Sequence, residues 1–558
     1  MPMMPGKSAL LELLKQEGIR VLFGNPGTTE LPLMDALAAE HELRYVLALQ
    51  EAPAMGMADG YAQASGQCAA INLHATPGLG NAMGMLYDAQ KGNAPILVTA
   101  GQHEQRFNLT EPILMGDLTT VARPFVKWSE EVRRLQDLPR AIHRAVKTAL
   151  APPMGPVFLS LPGDILTASE DIDLGRPSRV ASAIRGDASA IAAAAAIIAK
   201  AESPVIVAGD CVAQSNALAE FVELAEAIGA PVYDEGMATR AMFPSSHHLY
   251  RGAIVRLVPA IRGMLDQHDL LVSIGADLFT LSLPGDGEAI PDGYKVVHLD
   301  TDPWELGKNF AEEVSILGDP KVTLPELTAA IKTAQSAQQS ARAARRLAHA
   351  MAEGEASLHK LRSMADSMSE RSPIHPLALM ATIGRMLGPD AVVVDETISS
   401  GTGLRRFLQS DDHQSFFGGR GGGIGWGLPG AIGVKLALPN RPVVALIGDG
   451  SMMYTIQGLW TAAREKLQVV FVVLNNYSYR ILKQRTNNMK GLAAQNDAYV
   501  GMDLDNPRVD FVSVAKGFGL SAHKARTLSD VAELLEQALA ADGPTLIDVE
   551  VDRSWKPV

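Results

Sequence analysis

Cysteine and aromatic residues are scarce in this chain. Its 558 residues include two cysteines, Cys68 and Cys211, and only 5% aromatic side chains. Two cysteines do not make a disulfide framework, so apolar cores must hold the fold, and the chain is long enough for three domains. No uncharged apolar stretch is long enough to span a bilayer, and residues 1–7 lack the apolar core of a signal peptide. We therefore expect a cytoplasmic protein with no membrane partner.

Positive charge is also in deficit. The formal net charge is -13 at pH 7, and the sequence pI is about 5.5. Nucleic-acid-binding surfaces carry clustered lysine and arginine, so this balance argues against a nucleic-acid partner.

The most informative motif lies near residue 450. The apolar run 443–447 ends in Gly448-Asp449-Gly450-Ser451, and a second apolar run, 469–474, ends in Asn475-Asn476. The pattern of residues 456–465, between the two runs, predicts a helix, so the segment is strand, helix, strand. A right-handed crossover makes the two strands parallel neighbours. Asp449 and Asn476 then emerge at one carboxyl edge, where open α/β sheets bind ligands.

These two side chains predict a site for a metal ion and a diphosphate. A carboxylate, an amide oxygen and backbone carbonyls are hard donors that suit Mg²⁺, which completes its octahedron with phosphate oxygens and water. The glycines let the backbone approach a pyrophosphate closely. For the GDG motif alone, an ordinary tight turn is the alternative interpretation. The pairing with a strand, helix, strand frame favours the metal site.

The combination of GDG with a later NN resembles the motif of the thiamine diphosphate (ThDP) enzymes. The resemblance covers essentially the whole chain and implies ThDP and Mg²⁺ as cofactors. It implies two sets of site residues: the metal ligands Asp449, Asn476 and the backbone carbonyl of Ser478, and the cofactor contacts Gly448, Gly450 and Ser451.

A second motif, Gln50-Glu51-Ala52, follows the strand-like run 43–49 and precedes a helix predicted at 52–64. A single acid at a helix start is usually only favourable to the helix dipole. Together with Ala58-Asp59-Gly60-Tyr61-Ala62, however, it looks like the pyrimidine-binding domain of the ThDP enzymes, where the glutamate hydrogen-bonds the aminopyrimidine ring. A carboxyl facing the ring nitrogen favours the imino tautomer, which takes the proton from the thiazolium carbon to form the ylid.

Two further loops lie at the same predicted sheet edge. Phe23-Gly24-Asn25-Pro26-Gly27-Thr28-Thr29-Glu30 exposes the Thr28 hydroxyl, and Asn72-Leu73-His74 ends a strand before a helix predicted at 81–89. A lone histidine is more often structural, but the shared edge with Glu51 favours an active-site position for His74. Both patterns resemble benzoylformate decarboxylase and its relatives. That resemblance implies that the hydroxyl binds the substrate carboxylate and that the histidine relays protons.

Gly423-Ile424-Gly425-Trp426-Gly427-Leu428-Pro429 resembles the glycine-rich loop of the family. There, the residue at Ile424 props the cofactor into a bent shape that brings its exocyclic nitrogen to the thiazolium carbon. The alternative is a glycine-rich helix entrance with Ile424 in the core. Glu51 and the GDG motif fall in separate domains, so the cofactor must bridge them. In the family this bridge is intermolecular, which implies a homo-oligomer, either a dimer or a homotetramer built as a dimer of dimers.

The fold class predicted is α/β, with three doubly wound parallel-sheet domains. We expect a pyrimidine-binding domain at 1–177, a central Rossmann-like domain at 185–328, a helical connector at 329–372 and a diphosphate-binding domain at 373–558. The central domain is indicated by strands predicted at 205–208, 270–274 and 295–299 with acidic turns after the last two. In this family it is often structural, and whether it holds FAD or another nucleotide stays open.

Departures from benzoylformate decarboxylase concern the substrate. Our alignment puts Ser282 where that enzyme has a second active-site histidine. After the metal loop, benzoylformate decarboxylase lines its pocket with small and aromatic side chains. The matching run of this chain is 477–485, and its residues Ile481 and Leu482 are predicted to line the acyl pocket. The cations of this run, Arg480, Lys483 and Arg485, are interpreted as a solvated helix face. One of them turned inward would favour an anionic substrate.

Two activities are consistent with these residues. The first is non-oxidative decarboxylation of a 2-keto acid to an aldehyde, a carbon-carbon lyase reaction with carboligase side activity. The alternative is an acetolactate synthase-like transferase, in which the enamine joins a second carbonyl compound such as an aldehyde. A cofactor-binding relic with a scaffolding role is the non-enzymatic interpretation, and the presence of Glu51, Asp449 and Asn476 argues against it. The identity of the acyl group stays open.

Overall fold

The computed structural model describes residues 3–554. Within them lie three six-stranded sheets whose neighbouring strands are parallel, each between apolar cores on its two faces. A small antiparallel sheet pairs β1 (Met3–Pro5) with β8 (Ser169–Asp171). The prediction of three doubly wound α/β units is confirmed. No helix in this part of the chain has the length and apolar content needed to cross a membrane.

The first sheet consists of β2 (Val21–Gly24), β3 (Arg44–Leu47), β4 (Ala69–Leu73), β5 (Ile96–Gln102), β6 (Ser129–Glu131) and β7 (Val157–Pro162) in the order β3-β2-β4-β5-β7-β6. Its helices are α1 (Gly6–Gln16), α2 (Leu31–Leu37), α3 (Glu51–Ser65), α4 (Ala75–Lys91), α5 (Leu118–Ala122), α6 (Leu138–Leu150) and α7 (Gly163–Thr167), with 3-10 helices at Thr28–Glu30, Gln105–Thr110, Arg123–Phe125 and Leu135–Asp137. Successive residues of a strand point to opposite faces of the sheet, so Phe23 packs in one apolar core and Leu22 packs in the other. Both faces of this parallel sheet are therefore buried.

The central sheet consists of β9 (Pro204–Ala208), β10 (Val232–Asp234), β11 (Tyr250–Ala253), β12 (Leu270–Ile274), β13 (Lys295–Asp300) and β14 (Val314–Leu317). Its helices are α8 (Ala188–Lys200), α9 (Asp210–Gln214), α10 (Leu218–Ile228), α11 (Val258–Leu265), α12 (Pro320–Ala334) and the long α13 (Ala337–Asp366). The order β11-β10-β9-β12-β13-β14 is that of a dinucleotide-binding Rossmann sheet. α13 is less solvated than its polar sequence predicts, because Ala343 and Ala350 are buried and Arg346 donates to the carbonyls of Ala201 and Ile228.

The third sheet consists of β15 (Val392–Glu396), β16 (Phe416–Gly418), β17 (Val443–Gly448), β18 (Val469–Asn475), β19 (Ser521–Ala525) and β20 (Thr545–Glu550). Its helices are α14 (Pro376–Met386), α15 (Leu404–Phe407), α16 (Gly427–Ala437), α17 (Asp449–Met452), α18 (Gly458–Arg464), α19 (Arg480–Asn488), α20 (Leu492–Gln495), α21 (Phe511–Gly517) and α22 (Leu528–Leu539). The order β16-β15-β17-β18-β20-β19 repeats the pattern of the first sheet. In both, the strand order reverses beside the first strand, which is where such sheets bind ligands.

The first and third domains share one apolar core, in which α3 crosses α16 at close range. A Cβ on Gly60 would lie 2.2 Å from the carbonyl oxygen of Gly430, so neither position tolerates a side chain without separating the helices. Trp426 is fully buried beside this crossing, and its Nε1 donates to Asp59 Oδ2 at 2.7 Å. Burial of one large apolar side chain contributes about 2 to 3 kcal/mol. This packing sets the relative orientation of the two ligand-binding edges.

Candidate cofactor and active site

The GDG and NN motifs meet at the carboxyl edge of the third sheet. β17 and β18 are parallel neighbours with Gly448 opposite Leu474, so Asp449 and Asn476 follow adjacent strand ends. The helix predicted between them at 456–465 is α18, Gly458–Arg464. After β18 the chain turns back because Asn476 Oδ1 accepts the N–H of Ser478 at 2.9 Å. The residues predicted to hold a metal therefore lie within one short turn and the neighbouring strand end.

Asp449 has an unsatisfied oxygen in this buried turn. The residue is 5% exposed, and its Oδ2 has no hydrogen-bond partner among residues 3–554. Burial raises the pKa of Asp449 to about 7, and N–H groups including that of Gly450 oppose the rise. In the same part of the chain, no group of three or more His, Cys, Asp or Glu side chains could hold a metal ion. A cation here would rely on mixed oxygen donors, a set that fits Mg²⁺.

In the first domain, Glu51 and His74 lie at one edge of the sheet. Glu51 is the first residue of α3, and His74 precedes α4. Both side chains pack against Gly78 and are therefore close to each other. A Cβ added to Gly78 would lie 3.3 Å from Glu51 Oε1 and 3.3 Å from His74 Cβ. Glu51 is 7% exposed, and its Oε2 accepts a hydrogen bond from Asn81 Nδ2 at 3.0 Å. The amide of Asn81 thus orients a buried carboxyl at the ligand-binding edge.

Glu30 is a functional candidate that the sequence reasoning missed. It is 1% exposed, and its Oε2 lies 2.8 Å from His74 Nδ1 and also accepts the N–H of Gly27 at 2.9 Å. Residue 27 must be glycine, because a Cβ there would lie 2.2 Å from His74 Nδ1. The hydroxyl that contacts His74 is that of Thr29, at 3.1 Å, whereas Thr28 is exposed. The sequence signal for Glu30 was the presence of an acid three residues after Gly27 of the Asn-Pro-Gly turn.

Glu396, at the end of β15, is a second residue that the sequence reasoning missed. Its two carboxyl oxygens accept the N–H groups of Gly425 at 2.6 Å and Gly427 at 2.8 Å. Burial raises the pKa of Glu396 to about 7. Gly425 has φ +101, a conformation that favours glycine. Glu396 therefore holds the glycine-rich loop, and the signal for it was an apolar run, 392–394, that ends in two acids.

A cavity of about 480 Å³ lies between the central and third domains beside this loop. Ile424 is half-buried and lines it, and it belongs to none of the apolar cores. Ile481 also lines the cavity, whereas Leu482 is 45% exposed. Ser282 does not line the cavity, although its backbone N–H donates to the carbonyl of Arg256, which does, at 3.0 Å. Of the predicted pocket residues, only Ile481 therefore lines this cavity, and Thr28 and His74 lie at the edge of the first sheet.

The interpretation of the cations on α19 as a solvated face is wrong, and Arg485 is half-buried in the wall of the cavity. Lys483 is buried and forms an ion pair with Asp503. Arg480 is half-buried and donates to the carbonyl of Asp552 at 3.1 Å. The reason is that residues 502–504 return over α19 and bond to its first turn and the preceding loop, covering a face that local periodicity treats as open.

Asp88, at the end of α4, ties the first domain to the glycine-rich loop. Its Oδ1 accepts the N–H of Gly423 at 3.0 Å, and its Oδ2 is buried with no partner among the described residues. Burial raises the pKa of Asp88 to about 8. Burial therefore favours the protonated carboxyl near neutral pH, and the hydrogen bond from the N–H of Gly423 opposes this effect.

We expect Asp88→Asn to reduce the pH dependence of stability. Because the folded-state pKa of Asp88 is raised, the unfolded chain releases this proton first, and wild-type stability falls as pH rises from about 4 to about 8. The variant keeps an acceptor for Gly423 without a charge. As pH rises, the free energy of unfolding of the variant should increase relative to that of wild type by up to about 1.4 kcal/mol per pH unit. Thermal unfolding at about pH 5 and about pH 8 tests this, with the exposed Asp542→Asn as control; parallel pH responses in wild type and Asp88→Asn would contradict it.

A metal-competent strand edge and a buried glutamate on separate Rossmann-like sheets define an enzyme that binds an extended diphosphate cofactor between domains. The chain belongs to the thiamine pyrophosphate (ThDP) enzyme family. Models of the N-terminal TPP binding domain, the central domain and the C-terminal TPP binding domain match residues 4–118, 191–327 and 399–549, respectively. The predicted family is confirmed, and with it ThDP as the cofactor.

Relatives of two activities are similar over nearly the whole chain. A benzoylformate decarboxylase from Pseudomonas aeruginosa is 34% identical over 97% of this chain and 98% of its own length. A probable acetolactate synthase large subunit from Methanocaldococcus jannaschii is 27% identical over 98% and 92%, respectively. Among solved structures, a thiamine diphosphate-dependent 4-hydroxybenzoylformate decarboxylase from Rhodococcus jostii RHA1 has a TM-score of 0.86 at 31% identity, covering 99% of this chain and all of that one.

Proposed function

We propose that this enzyme removes CO₂ from a 2-keto acid and releases an aldehyde, using ThDP and Mg²⁺. The observation that carries the proposal is the arrangement of Glu51, His74 and Glu30 at one ligand-binding edge. When bound, the cofactor supplies the carbon nucleophile for the keto group and accepts the electron pair released with CO₂. The similarity to a benzoylformate decarboxylase supports the same reaction class.

Residues of the third domain would hold the cofactor's diphosphate end. The unpartnered Asp449 Oδ2 supports a Mg²⁺ ion held by that carboxylate, the Asn476 amide and the Ser478 carbonyl. Residues 448–451 would face the diphosphate. Ile424, held in place through Glu396, would support the bent cofactor from below.

His74 is suited to move a proton. With Glu30 accepting from Nδ1–H, the tautomer is set and Nε2 is left for a reacting group. A positioned imidazole can donate and recover a proton near neutral pH. The exposed Thr28 hydroxyl at the same edge is assigned to the substrate carboxylate.

We also propose that the active unit contains two copies of the chain. Within one chain the glycine-rich loop contacts the middle of α3, where Trp426 meets Asp59, and the last turn of α4, where Gly423 meets Asp88. Glu51 is the first residue of α3, which rises about 12 Å between Glu51 and Asp59. Glu51 of the same chain therefore faces away from the loop that carries the cofactor support. A second copy, as a dimer or a dimer of dimers, would bring the two edges together.

The second candidate is an acetolactate synthase-like carboligase. Ser282 occupies the position at which we align the second histidine of benzoylformate decarboxylase, so proton delivery depends more heavily on His74. Slow protonation would let an added carbonyl compound capture the reacting carbon. The similarity to a probable acetolactate synthase large subunit also favours this activity.

Product analysis separates the two candidates. We expect aldehyde release from a 2-keto acid and formation of 2-hydroxy ketones when an aldehyde is added. His74→Ala should slow aldehyde release by about 10²-fold and capture by less, because only release requires a proton from this residue. Gas chromatography with pyruvate, branched keto acids and benzoylformate measures both products, with the exposed His349→Ala as control. Acetolactate as the sole product from pyruvate would favour the carboligase.

A further inference from the structure

Two arginines in the cavity beside Ile424 lack a counter-ion. Arg256 follows β11 and Arg485 lies on α19; both are half-buried and line the cavity. Among residues 3–554, neither guanidinium forms an ion pair or donates a hydrogen bond. Burial lowers the pKa of Arg256; the positive charge of Arg485 acts in the same direction, and the carboxylate of Asp277 opposes it.

The carboxylates of the same wall cannot serve as their partners. Asp234 pairs with Arg405, and Glu235 pairs with Arg420. Glu396 is occupied by the two N–H groups of the glycine-rich loop. Asp395 accepts the hydroxyl of Thr397, and Arg406 donates to the carbonyls of Arg251 and Gly354. Arg256 and Arg485 are therefore the arginines of the wall that have neither an ion pair nor a side-chain hydrogen bond among the described residues. Partly buried cations without partners are costly, which makes this an arrangement suited to an incoming anion.

The two arginines line the same cavity as Ile481. Arg485 is four residues after Ile481, so both side chains lie on one face of α19. The stem of Arg256 is held by close packing, since a Cβ on Gly236 would lie 2.2 Å from Arg256 Cγ. The wall that contains Ile481 therefore also contains two cations.

We propose that the substrate is a 2-keto acid with a second anionic group at the end of its acyl chain, bound by Arg256 and Arg485. This inference rests on the proposed function, because it assigns the keto acid's own carboxylate to the edge that contains Thr28 and His74 in the second copy of the chain. Guanidinium groups bind carboxylate, sulfonate and phosphonate oxygens with paired, charge-assisted hydrogen bonds. An acid at the distal end would supply the counter-charge that the cavity wall lacks.

Matched substrates test the inference with the full-length enzyme loaded with ThDP and Mg²⁺. 2-Oxoglutarate has an anionic end, and 5-methyl-2-oxohexanoate has a neutral end of similar size. We expect wild type to prefer 2-oxoglutarate in kcat/KM. Arg256→Met and Arg485→Met should each lower that value by about 10- to 100-fold, the effect of one lost charge-assisted contact. Both should leave the neutral substrate within about threefold, as should the exposed control Arg345→Met for both substrates.

Calorimetric binding of glutarate, a non-reactive dianion, gives a second measurement that does not depend on turnover. We expect weaker glutarate binding in both arginine variants and an unchanged affinity for ThDP. Equal kcat/KM for the two substrates in wild type and variants would overturn the inference and leave the decarboxylase proposal intact. Loss of ThDP affinity without a change in substrate preference would also overturn it, by assigning the arginines to the cofactor. If neither keto acid reacts while another 2-keto acid releases an aldehyde, the inference is overturned and the proposed function stands. If no 2-keto acid releases an aldehyde, the proposed function fails, and the glutarate affinities alone decide this assignment.

Discussion

Asp449→Ala is expected to bind ThDP more weakly by a factor on the order of 10² or more. Asp449 is the one carboxylate among the three proposed metal ligands, and its Oδ2 has no other partner within residues 3–554. Without it, the negative diphosphate would meet only the neutral Asn476 amide and Ser478 carbonyl. The charge of the diphosphate is proposed to reach the protein through Mg²⁺, so loss of the metal and loss of the ligand should have the same effect.

Titration calorimetry with ThDP in the presence of Mg²⁺ measures this effect, and excess chelator added to wild type should reproduce it. Asp542→Ala is a suitable control, because Asp542 is an exposed acid of the same domain. If Asp449→Ala or chelated wild type bound ThDP with unchanged affinity, the metal assignment would be wrong.

Glu51→Gln is expected to bind ThDP but to slow exchange of its thiazolium C2 proton by about 10²- to 10⁴-fold. The variant's side-chain oxygen can still accept the hydrogen bond from Asn81, so the local packing should persist. What the amide lacks is a carboxyl proton to share with the pyrimidine ring. Binding and proton exchange should therefore separate.

Exchange can be followed by NMR after acid quench of the loaded enzyme in deuterated solvent, with ThDP affinity measured in parallel. Glu130→Gln provides a control, since Glu130 is an exposed glutamate of the same domain. Wild-type exchange in Glu51→Gln would remove Glu51 from the chemistry. Equal losses of binding and exchange would instead indicate a structural role.

The sequence by itself determined the class of fold and the sheet edge at which we propose the metal site. The pattern from 443 to 476 is local: an apolar run, a glycine turn, a helix and a second apolar run. With a right-handed crossover, the two strands become parallel neighbours, and Asp449 and Asn476 follow adjacent strand ends. The pairing of β17 with β18 has this arrangement. The same reasoning placed Glu51 at the start of α3 and His74 at the end of β4.

Only the tertiary structure decided which distant groups hold these residues. The contacts of Glu30 with His74, Asp88 with Gly423 and Glu396 with the glycine-rich loop join segments that are far apart in the chain. No local periodicity encodes such pairs, because burial and partner are set by how whole helices and sheets pack. For the same reason, the sequence could not assign the three cations of α19. The return of residues 502–504 buries Lys483, whereas the central domain forms the opposite wall of the cavity that Arg485 enters.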